Sequence, residues 1–417
     1  MHEQLKPWEP TRDNPWDFDA AAHLWRRAGF AAPARTVKQT LALTPAAAVE
    51  KMVDGPGKEE AAEELEFVYQ SVIGANDEAG ARAWILMRML RGEHQLREKI
   101  ALFWHGHFAT SLAKVRDLGW MTRQYRIFLE LGLGKFAPLL DRVARDPAMI
   151  RWLDNETNRK GSPNENYARE VLELFTLGEG NYSEKDIQEA ARAFTGWHIL
   201  REQFHFSSSL HDRDEKVVLG QRGRFGGEDI QRIALEQSAC ARFLADKLLR
   251  FFVTPEPSAE IVTALADVLR ASDYDMTATL RVLFGSRLFF APDTRRSLIK
   301  GPIDFVVGSA RALEMKKTNT KAALPLLRAM GQDLLAPPNV KGWPGQRAWI
   351  NTATWLTRVR TARALAEQAK SRSIDNAALA LLGRPLPGPE GKQMAGSGAG
   401  AKDLVQALLT LPEAHLA

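Results

Sequence analysis

The 417-residue chain contains one cysteine, Cys240. No intramolecular disulfide can form, and no cysteine-based zinc cage can be built. Long apolar runs are also missing, since no stretch approaches the ~18 uninterrupted apolar residues of a membrane span. The first twenty residues hold prolines, acids and tryptophans but no apolar segment of the kind an export signal carries, so a cytoplasmic location is expected. Charge of one sign is scarce as well: 56 Lys and Arg against 51 Asp and Glu leave a net +5. That balance lacks the clustering of a nucleic-acid footprint, and no nucleic-acid partner is expected. A nucleophile elbow, a dinucleotide fingerprint, a P-loop, a kinase set and H-E-x-x-H are all absent.

What remains is 45% hydrophobic and 26% charged, the usage of an ordinary globular protein. The periodicity is helical almost throughout. In Glu93–Phe108, Leu96, Ile100, Phe103 and Trp104 recur at spacings of three and four, and Leu248 to Phe252 with Ile261, Leu265 and Leu269 repeats the pattern. Ser183 and Gly196 bracket a further helix. Ser162-Pro163-Asn164-Glu165 reads as a capping box opening a helix that runs to Leu177. The expected fold is mainly α, with residues 1–20 as an arm and 21–380 as one large domain of stacked amphipathic helices. WHILREQFHF and KVVLG predict a small inserted β-hairpin at about 197–227. The Gly- and Pro-rich segment 383–402 predicts a flexible linker, and 403–417 a terminal helix.

Candidate chemistry concentrates in three places. His105 and His107, two apart, could chelate one ion if their helix ends near Gly106; on a continuing helix His107 joins the buried face. Asn166, Glu170 and Glu173 recur at i, i+4 and i+7, so an amide and two carboxylates share one helical stripe, suited to a divalent metal or acid–base chemistry, or else simply solvated. Counting Asp154 as the first position, Glu156, Asn158 and Glu165 fall where an EF-hand places calcium ligands, but Arg159 replaces the turn glycine. Near the hairpin, His198, His205, His211 and Asp212, followed by Lys216, could converge as an imidazole–carboxylate cluster. The run from Gly220 to Gly227 fits helix capping better than phosphate binding. Tryptophans 343, 349 and 355 are assigned to packing.

Several segments together resemble one family. AAHLWRRAGF at 21–30, REKIALFWHGHFATS at 97–111, the long run from Asp146 to Trp197, His211-Asp212 with Lys216, and PPNVKGWPGQRAWINT at 337–352 are similar to the bacterial domain-of-unknown-function 1800 family. The resemblance brings no established reaction. It implies a frequent genomic neighbour of the domain-of-unknown-function 1501 family, itself similar to phosphatases and sulfatases, as a possible protein partner, and an envelope location as the alternative to the cytoplasm. Its polar motifs fall on His105, His107, Asp154, Asn155, Asn158, Asn164, Glu165, Asn166, Glu170, Glu173, His211, Asp212 and Lys216. The leading expectation is therefore a polar cleft holding a divalent metal on His105, His107, Glu170 and Glu173, with His211, Asp212 and Glu170 in hydrolytic or oxidative chemistry. The rival is a non-catalytic protein that binds a partner or polymer through Asn/Glu loops and exposed tryptophans.

Overall fold

The computed structural model describes residues 2–57, 59–315, 319–369, 374–384 and 400–417. It is mainly helical, with the strands confined to residues 197–223. Helix starts follow side-chain chemistry: Asp17, Thr44, Asp77, Asp117, Ser183, Ser258 and Asp275 each accept the backbone N–H of the residue three further on.

One helix has no solvated face. Gln95–His107 buries every residue except Arg97 and Gly106, which are partly exposed. Its apolar side chains join the main core, where Trp104 stacks on Phe136 at 5.4 Å and on Phe108 at 5.6 Å. Burial on all sides makes partners for the polar groups on this helix available only from the protein itself. Gln95 donates to the carbonyls of Met89 and Gly92, Trp104 Nε1 donates to Gly132 O at 2.9 Å, and Lys99 pairs with Asp304. Glu98, fully buried, accepts two bonds from Arg88 at 2.6 and 3.2 Å.

The expected single hairpin is two. Trp197–Leu200 pairs with Gln203–Phe206, and Lys216–Val218 pairs with Gln221–Gly223, each as a separate two-stranded antiparallel sheet. WHILREQFHF thus folds on itself rather than against KVVLG. Both turns carry two consecutive positive φ angles, 50° and 62° at Arg201 and Glu202, then 48° and 80° at Leu219 and Gly220, the twist two-residue hairpin loops require. Arg-Glu carries none of the Asn-Gly signal that marks such a turn, which is why the first hairpin was not anticipated.

Two boundaries also differ. The segment expected to be one helix from the capping box to Leu177 begins at Asn166 and changes from α to π at Val171, the π-helix running Val171–Leu177. Asn164, not Ser162, accepts the N–H of Asn166. The terminal helix is Ala401–Thr410, followed by a 3-10 turn at Pro412–His415, and it packs on Thr352–Gln368. The linker expected at 383–402 lies, apart from its ends, outside the described residues.

The Arg88–Glu98 pair yields a direct stability test. Arg88→Met leaves a buried carboxylate without its bidentate partner and should cost about 3–5 kcal/mol in urea unfolding, most of it recovered in Arg88→Met/Glu98→Leu. A single-variant loss below about 1 kcal/mol would show that Arg97, 3.9 Å away, satisfies Glu98 alone.

Candidate functional site

The two histidines of the central helix do not face one ion. His105 Nε2 accepts the N–H of Leu335 at 3.0 Å, whereas His107 Nε2 lies 3.1 Å from the carbonyl of Phe175 and must donate to it. Their partners therefore fix opposite tautomers: the His105 proton sits on Nδ1, and the His107 lone pair sits on Nδ1. Neither Nδ1 has a protein partner. Burial holds His105 down to about 3, and burial with the nearby Lys247 charge holds His107 well below the usual imidazole range, so both are neutral.

The acidic stripe is half-buried but does not join them. Glu173 accepts from the hydroxyl of Tyr182, and Glu170 is raised by burial and then by Glu173 beside it. Lys341, from the 337–349 loop, pairs with Glu179 at 3.0 Å. Asn166 turns away to the carbonyl of Leu153 at 3.1 Å. Among the described residues no three His, Cys, Asp or Glu side chains come close enough to hold a metal ion. The expected ligand set of His105, His107, Glu170 and Glu173 is thus not assembled.

The polar run from Asp154 to Asn166 is a latch of amides. Asn158, fully buried, donates to Asn155 Oδ1 at 3.1 Å and Ala191 O at 2.9 Å, and accepts from the Asn164 N–H at 3.0 Å. Asn155 donates to Trp197 O at 3.1 Å, and Asn164 to Thr157 Oγ1 at 2.9 Å. The calcium-loop reading fails on the same contacts: Asp154 pairs with Lys114 at 2.8 Å, Glu156 with Arg151 at 3.6 Å and Glu165 with Arg169 at 3.3 Å. The hairpin cluster is likewise separated. His211 Nδ1 donates to Thr195 O at 2.9 Å, Asp212 takes Arg192 at 2.8 and 3.3 Å, and buried Lys216 donates to the carbonyls of Asp212 and Asp214. His198 and His205 face each other across the first hairpin, with ring centroids 6.3 Å apart.

A cavity of ≈ 420 Å³ opens instead beside His107. The helix Phe18–Ala28 supplies Arg26 and Arg27, the central helix Lys99, Leu102, Phe103 and His107, and the helix Ser238–Phe252 Lys247, Arg250 and Phe251. Lys300, Asp304, Gln332, Trp343, Gln346 and Trp349 complete its polar and aromatic wall. Six cationic side chains thus line the cavity with one side-chain carboxylate, Asp304; Lys99 is paired with Asp304, Arg26 with Asp19 and Arg250 with Asp246, which leaves Arg27, Lys247 and Lys300 outside any ion pair among the described residues. Burial pushes Lys300 down to about 7, Lys247 to about 8, Arg27 to about 9 and Arg26 to about 10. Among the described residues Arg26 and Arg27 each keep two buried guanidinium nitrogens without a partner, and Trp343 keeps its Nε1.

The loop carrying Trp343 is seated backbone to backbone on the central helix. Gly342 has φ +85°, and a Cβ there would lie 2.3 Å from the carbonyl of Gly106. The aromatic wall and the histidine helix therefore share one register.

The pattern of the family described as "Protein of unknown function (DUF1800)" matches residues 23–416. The chain belongs to that family. No curated protein and no solved structure matches it. In the DUF1800 chain, then, the family-like motifs divide between a latch, which ties the 154–166 loop to the helix Glu184–Ala193 and to the first hairpin, and a cavity wall. Sequence reading missed Arg26, Arg27, Lys247 and Lys300 because none stands in a polar motif; the Arg26-Arg27 doublet inside an otherwise apolar helix was the available signal.

Two outcomes follow for the DUF1800 chain. Asn158→Ala should lower stability by about 2–4 kcal/mol in a melting experiment, because three buried partners lose their bonds together; a shift within error would return Asn158 to the list of site residues. Below pH 6.5 the unfolded chain protonates histidines that the fold keeps neutral. His23, His105, His107 and His415 each therefore subtract about 1.4 kcal/mol per pH unit as pH falls. Asp146, pushed up to about 7 by burial, acts in the opposite sense over the same window and offsets about one histidine. Urea unfolding at pH 5 should give a stability about 5 kcal/mol below that at pH 7; equal stabilities would mean the imidazoles ionise within the fold.

Proposed function

We propose that the cavity is the working site of this DUF1800 protein and that its ligand is a small organic anion with an apolar body. The observation carrying this reading is the charge of the wall: of six cationic side chains, Arg27, Lys247 and Lys300 have no ion-pair partner among the described residues, Arg26 and Arg27 keep unpartnered buried nitrogens, and the one side-chain carboxylate in the wall is already paired. In a low-dielectric site such cations repel one another, and an anion relieves that repulsion. Phe103, Phe251, Trp343 and Trp349 supply the apolar part of the wall. The volume falls in the range of small-molecule sites. A metal-dependent hydrolase or oxidase draws less support, since its ligands lie apart. The partner-binding reading, with a domain-of-unknown-function 1501 protein as the partner, loses its exposed tryptophans, because all eleven are buried or half-buried. It keeps Leu200, Phe206 and Leu210, exposed on and beside the first hairpin. No helix among the described residues is long and apolar enough to cross a membrane.

Calorimetry with phenyl phosphate, inorganic phosphate and benzyl alcohol tests the proposal. Phenyl phosphate should bind most tightly and take up protons on binding, because an anion raises Lys300, which sits among Arg26, Arg296, Arg358, Asp304 and His415, and Lys247 beside it in the wall. Its affinity should fall roughly tenfold or more between pH 6 and 9 as those lysines lose their protons. Equal affinity for benzyl alcohol, or no dependence on pH, would overturn the reading.

A further inference from the structure

Helix ends leave carbonyls without intrahelical partners, and the π-helix Val171–Leu177 ends against the cavity wall. Its last carbonyls are met by side chains from elsewhere. Lys247 Nζ lies 3.4 Å from Leu174 O, His107 Nε2 takes Phe175 O at 3.1 Å, and Asn181 donates to Leu177 O at 3.0 Å. Because Leu174 and Phe175 are consecutive, the amine of Lys247 and the imidazole of His107 stand side by side, both in the wall of the cavity. The ring of Phe243 closes on both, 4.7 Å from Lys247 Nζ and 6.2 Å from the His107 ring. Lys247 is in no ion pair among the described residues: the adjacent Asp246, whose charge opposes the effect of burial on the amine, is bonded to Arg250 at 2.7 Å. Its only hydrogen bond among the described residues is long and weak, so the amine is free to leave it. The unpartnered Nδ1 of His107 is an acceptor. An amine in apolar, cationic surroundings is the kind that loses its proton near neutral pH and becomes nucleophilic.

We propose that Lys247 condenses with the carbonyl carbon of a small oxo-acid held in this cavity, forming an imine. The proposal rests on the anion-binding reading above and names its substrate class. The Nζ lone pair adds to the carbonyl carbon and the C=O π electrons move to oxygen, which takes a proton. Solvent water in the cavity relays the two protons that Nζ releases, the first to that oxygen and the second to the departing hydroxyl. Water leaves, a C=N bond remains, and no oxidant or reductant is consumed. The cationic wall, with Arg26 and Arg27, holds the acid group while Phe103 and Phe251 bound the rest.

The full chain is treated with pyruvate or with neutral acetone, each followed by borohydride, which reduces an imine to a stable secondary amine, and the product is mapped by peptide mass spectrometry. With pyruvate, Lys247 should carry the adduct at pH 8 about tenfold faster than surface lysines, with a rate rising through a midpoint near 8, and excess phenyl phosphate should suppress it. Acetone should label Lys247 far less, and Lys247→Arg should lose the adduct. Labelling spread evenly over surface lysines in the wild type, or unchanged in Lys247→Arg, overturns the proposal; the wild-type map decides alone if the variant does not fold. Phenyl phosphate binding without an adduct overturns the imine and leaves the anion site standing. Neither binding nor adduct overturns both.

Discussion

The architecture depends on a helix that has no water to turn to. Once Gln95–His107 is enclosed on all sides, the polar groups it carries can be met only by other parts of the chain. The contacts that result tie it to the 88–92 region, to Gly132, to Phe175, to Asp304 and to Leu335, segments spread over more than half of the sequence. Enclosure thereby turns hydrogen-bond satisfaction into long-range order, and the same requirement carries the loop at 337–349 and the π-helix into register with the histidines. A buried polar group is costly when it is alone and specifying when it is met.

The cavity inherits its electrostatics from that arrangement. Arg26 is held by Asp19 at 3.2 Å, and Arg27 by the carbonyls of Val253 and Thr294, so the guanidinium groups are positioned by bonds on one edge while other nitrogens remain unpartnered. Lys300 is fixed by Ala414 O at 2.8 Å. Cations oriented in advance from several helices, with few counter-charges, form a preorganised field rather than a set of surface ion pairs. The π-helix adds the negative end of its own dipole beside Lys247 and His107, which keeps a charged amine tolerable there although burial opposes it.

Much of this was legible in the sequence, and the division has a physical basis. Helical periodicity, the Ser183 cap and the family-like segments were readable because each is a local pattern, and the mainly α fold followed from them. The buried face of His107 was readable from its spacing to Ile100 and Phe103. The latch around Asn158 was visible only as a concentration of amides; whether such a cluster binds a ligand or its own backbone is decided by where the carbonyls of Ala191 and Trp197 arrive, which no spacing encodes. The α-to-π change at Val171 shifts the phase on which the Glu170/Glu173 stripe was drawn. The cationic cavity was hidden because its charges come one or two at a time from distant segments, each disguised as an interruption of an apolar run.

The opposed hydrogen-bond polarity of the two histidines has a consequence for how such sequences drift. One position must present an acceptor to a main-chain amide; the other must present a donor to a main-chain carbonyl. Two identical letters in His-Gly-His therefore obey different substitution grammars. Side chains with only an acceptor could succeed the first and side chains with only a donor the second, so the apparent symmetry of the motif is an accident of imidazole's ability to play either part.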